Sequence, residues 1–357
     1  MALNEYVLLG RSGLRVTRLC LGTMTFGTDW GWGDSEDTAR KIFDHYLGAG
    51  GNFIDTADGY TNGSSETLIG KFLKARGDRD RIVLATKYSF GSEQGNANSG
   101  GNGRKNIYNA LEGSLRRLQT DYIDLYWVHV WDGMTPVEEA MSVLDDVVRS
   151  GKVRYIGFSN VPGWYLGRAQ TIAELRGWTR LIAMQLEYSL VERGLEMEFT
   201  AAMKELGLGL APWSPLGGGI LSGKYKRTES GVVGDGRGAA VSEHPVLSRH
   251  FREKNFKIAD EVIAVAKQLG RTPAQVALNW VLHRPCVDSA IIGATKIHQL
   301  DDNVGALEFE IPAELTARLN QVSAPEIPYP YNFFYGEGMD LMVNAGTKVR
   351  QSSAVAA

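Results

Sequence analysis

Eight short apolar runs, at residues 19–24, 52–57, 81–87, 122–129, 153–160, 181–188, 209–213 and 289–293, alternate with stretches of helical periodicity. The first such helix is expected over 35–47, where Ile42, Phe43, Tyr46 and Leu47 share a face, and others over 64–75, 104–118 and 136–150. Strands apolar throughout are buried on both faces, and parallel neighbours need a crossover helix between them. Eight such units predict an α/β protein, a parallel (β/α)8 barrel of the TIM type. A doubly wound sheet is the runner-up. It is disfavoured because no Gly-x-Gly-x-x-Gly follows the first strand; the nearest match, from Gly234 to Ala239, lies in a polar loop.

Residues 6–16, two apolar runs around a Gly- and Ser-containing turn, predict an N-terminal β-hairpin capping one end, and the whole chain, 1–357, is expected as one barrel domain. Two stretches break the spacing: a Gly-, Ser- and Asn-rich loop at 91–103 and a Gly-rich insertion at 217–255. Both leave from strand carboxyl ends, where barrels build their active sites, so both are candidate lids; a bland surface loop is the alternative for the first. The C-terminal tail, 324–357, carries Pro325, Pro328 and an aromatic cluster from Tyr329 to Tyr335; it either packs over the barrel mouth or runs along its side.

Charge narrows the partners. With 38 Lys and Arg against 41 Asp and Glu, no basic surplus exists to neutralise a phosphate backbone, and no nucleic acid is expected. Cys20 and Cys286, the two cysteines, exclude a disulfide framework and a cysteine zinc site, and no metal is expected. No charged-then-apolar leader opens the sequence and no apolar run approaches about 18 residues, so the expectation is a cytoplasmic protein with no membrane association.

Ionisable residues recur at consecutive strand ends: Asp55 and Tyr60 after the second run, Lys87 at the end of the third, His129 at the end of the fourth. Each alone has a bland reading as a turn cap, a groove filler or a hydrogen-bonded structural residue. In a barrel they converge on one mouth. Without a metal, this set does proton transfer: a Tyr hydroxyl titrates at roughly 10, and a neighbouring ammonium such as Lys87 is expected to pull it down. Asp55 would hold Lys87 charged, and His129 would hydrogen-bond a substrate carbonyl. A protonated carbonyl still needs an electron pair that no side chain donates as hydride, so a cofactor is implied.

Those residues sit in segments that together resemble the aldo-keto reductases: Asn52-Phe53-Ile54-Asp55-Thr56-Ala57 with Tyr60, Ala85-Thr86-Lys87, the run from Leu115 to Tyr126 with His129, the run from Gly151 to Asn160, Ala211-Pro212-Trp213-Ser214-Pro215-Leu216 with Lys224, and Ile291 through Asn303. The resemblance runs in order from about Tyr6 to Ser323. It implies reduction of aldehydes or ketones with NADPH (NADP+ in the reverse direction), Tyr60 as proton donor, Lys87 and Asp55 as its supporting pair, and His129 as the carbonyl-orienting residue. It further implies cofactor contacts at Thr23, Met24 and Asp55, at Ser159, Asn160 and Gln185 around the nicotinamide amide, and at Trp213 against its ring. Ser214, Pro215, Leu216, Gly218 and Lys224 match the pyrophosphate segment; Gly293, Thr295, Lys296, Gln299, Asp302 and Asn303 match the adenosine side. Arg237 matches a basic clamp, making 217–255 a cofactor-covering loop. The sequence departs from many relatives at Thr295, where they carry Arg or Ser, so Lys296 or Arg237 is expected to meet the 2′-phosphate.

Two other readings remain at this stage. The chain also resembles potassium-channel β subunits, which implies a cofactor-loaded regulatory subunit; a non-redox barrel enzyme such as an isomerase expects no NADPH binding. For a substrate, Trp30, Trp32, Trp131, Phe26, Phe90 and the tail aromatics either line a pocket for aromatic or bulky small-molecule carbonyl or alcohol compounds, or serve packing. Oligomeric state is left open.

Overall fold

The computed structural model describes residues 3–228, 231–234, 248–334, 338–347 and 349. Eight parallel strands form one sheet in the order β12-β3-β4-β5-β6-β7-β8-β9: β3 (Leu19–Gly22), β4 (Phe53–Asp55), β5 (Val83–Tyr88), β6 (Ile123–Val128), β7 (Val153–Ser159), β8 (Leu181–Gln185), β9 (Gly209–Leu210) and β12 (Ala290–Ile292). The seam between β9 and β12 is drawn together by a parallel bridge, Leu210 to Val287, and by the Ile291 N–H donating to the Pro212 carbonyl at 2.9 Å. Helices follow the strands, so this is the (β/α)8 barrel that the alternation predicts.

Several strands are shorter than their apolar runs. The run at 209–213 is regular strand only at Gly209–Leu210; beyond it the Ala211 and Trp213 N–H groups still donate to the Met184 and Leu186 carbonyls, each at 2.9 Å, and Trp213 pairs in an isolated bridge with Glu187. The run at 181–188 correspondingly ends at Gln185.

Period-two alternation sorts the strand side chains into two layers. Cys20, Phe53, Val83, Ala85, Leu125, Trp127, Ala183, Ala211 and Ile291 pack together inside the barrel. Their neighbours, including Leu21, Ile54, Leu84, Tyr126 and Val128, face outward onto the helices. Trp127 needs Gly157 opposite: a Cβ there would sit 2.3 Å from the indole.

The N-terminal hairpin, β1 (Tyr6–Leu8) against β2 (Arg15–Thr17), contributes Leu9 and Val16 to the inner cluster and so plugs the amino-terminal end. Gly10 takes φ +56° and approaches so closely that a Cβ would lie 2.2 Å from the Ile182 carbonyl. Helix boundaries obey the expected chemistry: Ser35 caps Glu36–Gly48, and Thr272 with Gln275 forms a capping box on Pro273–Leu282.

Within the insertion, the described parts are a glycine turn at Gly217–Ser222, a hairpin of β10 (Tyr225–Thr228) against β11 (Gly231–Gly234), and a short turn at Ser248–His250 leading into the helix Glu253–Leu269. The chain divides into two compact units, Met1–Ser323 and Ala324–Ala357. The second carries short helices at Tyr331–Phe334 and Met339–Val343. Among the described residues no helix is long and apolar enough to cross a membrane.

Candidate active site

Strand parity explains why four of the expected residues meet. Lys87 is in phase with Val83 and Ala85, Asp55 with Phe53, and Gln185 with Ala183, so all three point inward above the apolar barrel floor. Lys87 is fully buried, and its ammonium donates to Asp55 Oδ2 at 2.5 Å, to the Thr56 carbonyl at 2.9 Å and to the Tyr60 oxygen at 3.1 Å. Gln185 Nε2 donates to the other Asp55 oxygen at 2.9 Å. The Tyr60 oxygen thus accepts from Lys87 and keeps its own hydrogen to give.

Burial alone would drive the Lys87 ammonium down, but the Asp55 carboxylate and the Tyr60 hydroxyl carry it above the usual lysine value, so it is charged at neutral pH. Tyr60 departs from expectation. Burial raises its hydroxyl above the ordinary phenol value, and the pull of Lys87, though downward, is the smaller effect. Tyr60 is therefore a protonated phenol at neutral pH, not a phenolate.

His129 continues the inward row of Leu125 and Trp127 just beyond β6. Its ring meets that of Tyr60 at 5.9 Å between centroids, nearly perpendicular. Burial first, and Lys87 second, hold its imidazole well below the usual histidine value, so it is neutral; its buried Nδ1 has no protein partner. Trp30 stands edge-on to Tyr60 at 6.5 Å and Phe90 edge-on to His129 at 4.5 Å. Trp30, Phe90 and Trp131 are all partly exposed, and Trp131 packs on Trp164. Phe26 is different: it is fully buried against Phe72 and belongs to the core.

Of the residues expected around a nicotinamide amide, Ser159 and Asn160 are joined to each other, and Gln185 to Asp55. Asn160, at φ +49°, donates through Nδ2 to the His129 carbonyl at 3.0 Å and to Ser159 Oγ at 2.8 Å, and accepts from the Trp213 indole at 3.3 Å. Thr23 spends both its N–H and its hydroxyl on the Asp55 carbonyl, each at 3.0 Å, and so braces that strand end. Met24 follows it and is partly exposed.

After Trp213, the turn through Ser214, Pro215 and Leu216 into Gly217, Gly218 and Gly219 uses positive φ at Ser214 and at all three glycines. A Cβ at Gly217 would lie 2.5 Å from Val191, and one at Gly218 3.1 Å from His250 Nδ1. The N–H groups of these glycines are spent within the turn, on Ser214 and Leu216, so an anion lying here would meet Lys224 and not a row of free N–H groups. On the far side, Gly293 has open space where a Cβ would go, and Thr295 is bonded through N–H and hydroxyl to Gln299. Lys296 is exposed as the residue before the helix Ile297–Val304, and Asn303 is buried within it. The Asp302 carboxylate accepts from the Thr272 hydroxyl and so ties two helices. Arg237 lies outside the described residues. The glycine cradle, the fixed indole, the Ser159-Asn160-Gln185 polar set and the Lys224 cation fit a nicotinamide dinucleotide.

Other polar residues at the site gave little sign of themselves in the sequence. Glu187 accepts from both Arg249 and His250, anchoring the end of the insertion beside Gly218. Glu66, buried behind the strands, accepts from Arg117 and Thr86; as an acid in the first turn of a helix it looks ordinary. Asp58, between Asp55 and Tyr60, is buried with one carboxylate oxygen unpaired; burial, and then Glu66, push its carboxyl up to about 7.

Asp58 thereby makes stability depend on pH. Its folded value lies above the unfolded value of roughly 3.9, so the folded state keeps a proton that the unfolded chain releases, and the contribution is lost as pH rises toward about 7. Asp58→Asn should gain stability relative to the native protein by on the order of 2 kcal/mol between about pH 5 and about pH 8, measured by urea unfolding. A constant difference across that range would exclude Asp58 as the titrating group.

Comparison with known proteins gives one family. A family model described as the aldo/keto reductase family matches residues 18–324. An uncharacterized oxidoreductase of Bacillus subtilis, YrpG, is 41% identical over 329 residues, covering 89% of this chain and 95% of the relative. The norsolorinic acid reductase stcV of Emericella nidulans is 35% identical over 337 residues, covering 92% and 84%. An aryl-alcohol dehydrogenase [NADP(+)] of Phanerodontia chrysosporium is 31% identical over 341 residues, covering 92% and 88%.

Proposed function

Because the chain belongs to the aldo/keto reductase family and is an oxidoreductase fold-mate of the relatives above, we propose that it is an NADPH-dependent reductase of aldehydes or ketones, with Tyr60 as the proton donor. The observation that carries this reading is the Asp55–Lys87–Tyr60 chain of hydrogen bonds beside a neutral His129. Bound NADPH supplies the hydride that no side chain can give.

Each residue then has a task. Neutral His129 donates a hydrogen bond from a ring N–H to the substrate oxygen and fixes its direction. Tyr60 gives its proton to that oxygen as negative charge develops there. Lys87, already bonded to the Tyr60 oxygen, stabilises the phenolate left behind. Asp55, held by Gln185, keeps the ammonium charged and in place. In the oxidative direction the same groups act in reverse.

Trp30 beside Tyr60 and Phe90 beside His129 favour a flat aromatic carbonyl compound as substrate, a class consistent with relatives named as norsolorinic acid reductases and aryl-alcohol dehydrogenases. For selection of NADPH over NADH the candidates are Lys296, exposed before the helix Ile297–Val304, and Arg237.

The test is a fluorescence titration with NADPH and NADH, following Trp213, and then turnover of a benzaldehyde-type substrate. Tight binding that favours NADPH, weakened for NADPH more than for NADH by Lys296→Ala or Arg237→Ala, is the expected result. Equal affinities for the two cofactors would remove the phosphate preference, and saturable binding without turnover would argue for a regulatory subunit over an enzyme.

A further inference from the structure

The loop at 91–103 is exposed from Gly91 to Asn98, and its return, 99–103, is half-buried around one fully buried residue. Asn102 is fully buried and is bonded to both neighbouring strand ends. Its N–H donates to Asp132 Oδ2 at 2.8 Å and its Nδ2 to the Val130 carbonyl at 2.9 Å, both beyond β6. Its Oδ1 accepts from Ser89 Oγ at 2.7 Å, just beyond β5. That same Ser89 oxygen shares the His129 N–H, at 3.1 Å, with the Tyr88 carbonyl, which accepts it at 2.9 Å.

Ser89 holds φ +133°, where a residue with a side chain is strained; such strain persists only where the surroundings over-determine it. Here they do, since the Ser89 carbonyl also accepts the Gly101 N–H at 2.8 Å. The unusual backbone at Ser89 directs the next side chain, Phe90, onto the His129 ring at 4.5 Å, covering an imidazole whose Nδ1 has no partner.

Resting on the reductase reading above, we infer that Asn102 is a positioning residue: through Ser89 and Val130 it fixes the His129 backbone and the Phe90 ring, and so sets how His129 meets the substrate oxygen. The loop is therefore a strut at its root, whatever its tip does. Asn102 touches neither substrate nor cofactor; it acts on His129 through two strand ends.

Asn102→Ala is expected to lower kcat about ten- to a hundredfold while changing NADPH affinity less than about twofold, because misplacing a polarising group costs rate without removing a cofactor contact. A second readout is independent of activity: the His129 ring signal in nitrogen-15 NMR, assigned with His129→Gln. Lys87 from β5 and Tyr60 from the segment after β4 are the titratable groups set against His129, and Asp132 lies on its own loop. In the native protein the ring stays neutral down to acidic pH; uncovering it in Asn102→Ala lifts its titration toward the ordinary value of roughly 6.5. Ser89→Gly relieves the strained φ while deleting the hydroxyl, and should shift the His129 signal in the same direction even where Asn102→Ala does not fold. An unchanged His129 titration in folded Ser89→Gly overturns the inference. A shifted titration in protein that never reduces a carbonyl supports the positioning of His129 and sinks the reductase reading instead.

Discussion

Replacing Tyr60 by Phe is expected to lower kcat for carbonyl reduction by at least about a hundredfold, and by up to about ten-thousandfold, with NADPH affinity nearly unchanged. Phenylalanine keeps the ring and its edge contacts with Trp30 and His129, and deletes one oxygen. That oxygen accepts from Lys87 at 3.1 Å, but Lys87 retains Asp55 and the Thr56 carbonyl, so the buried ammonium stays paired and the fold stands. What disappears is the only group in this row that combines a proton to give at neutral pH with a cation placed to stabilise its conjugate base. The measurement is steady-state turnover alongside a fluorescence titration. Full activity in Tyr60→Phe would move the proton donor elsewhere, and joint loss of turnover and cofactor binding would mean that the substitution disturbs the whole mouth.

The barrel was legible because its signal is redundant. Eight apolar runs with crossovers between them leave few topologies, and a wrong boundary at any one, such as 209–213 shrinking to Gly209–Leu210, does not change the count. The Asp55, Lys87 and His129 convergence was legible for the same physical reason: strand parity, once the barrel is granted, puts every second residue inside. Parity does not report environment. It does not tell that burial outweighs Lys87 at Tyr60, nor that Phe26 turns into the core while Trp30 stays at the surface.

Loop residues were the hardest to read. Asn102 and Ser89 lie where Gly, Ser and Asn are expected for turn chemistry, so a fully buried asparagine bonded to two strand ends looks like one more loop residue. The match of Gly218 and its neighbours to a pyrophosphate segment does not tell that the turn at 217–219 closes on its own N–H groups and leaves the charge to Lys224. Contacts that join segments far apart in sequence, such as Glu187 with Arg249 and His250, have no local pattern to announce them.

Lys87→Met should be the most costly substitution for the fold as well as for activity. Methionine roughly matches the lysine stem in volume, so the loss is mainly one of charge. Asp55, almost fully buried, would be left with the Gln185 amide as its side-chain donor, and a buried carboxylate stripped of its cation costs on the order of 3–5 kcal/mol. Because that cost arises from the stranded charge, removing the charge should recover it. The double variant Asp55→Asn/Lys87→Met is expected to unfold at a higher urea concentration than Lys87→Met alone, whereas turnover stays lost in both, since neither has a cation at the Tyr60 oxygen. Additive destabilisation in the double variant would mean that the Lys87–Asp55 contact at 2.5 Å contributes little coupling, and that the pair owes its place in the barrel mouth to packing alone.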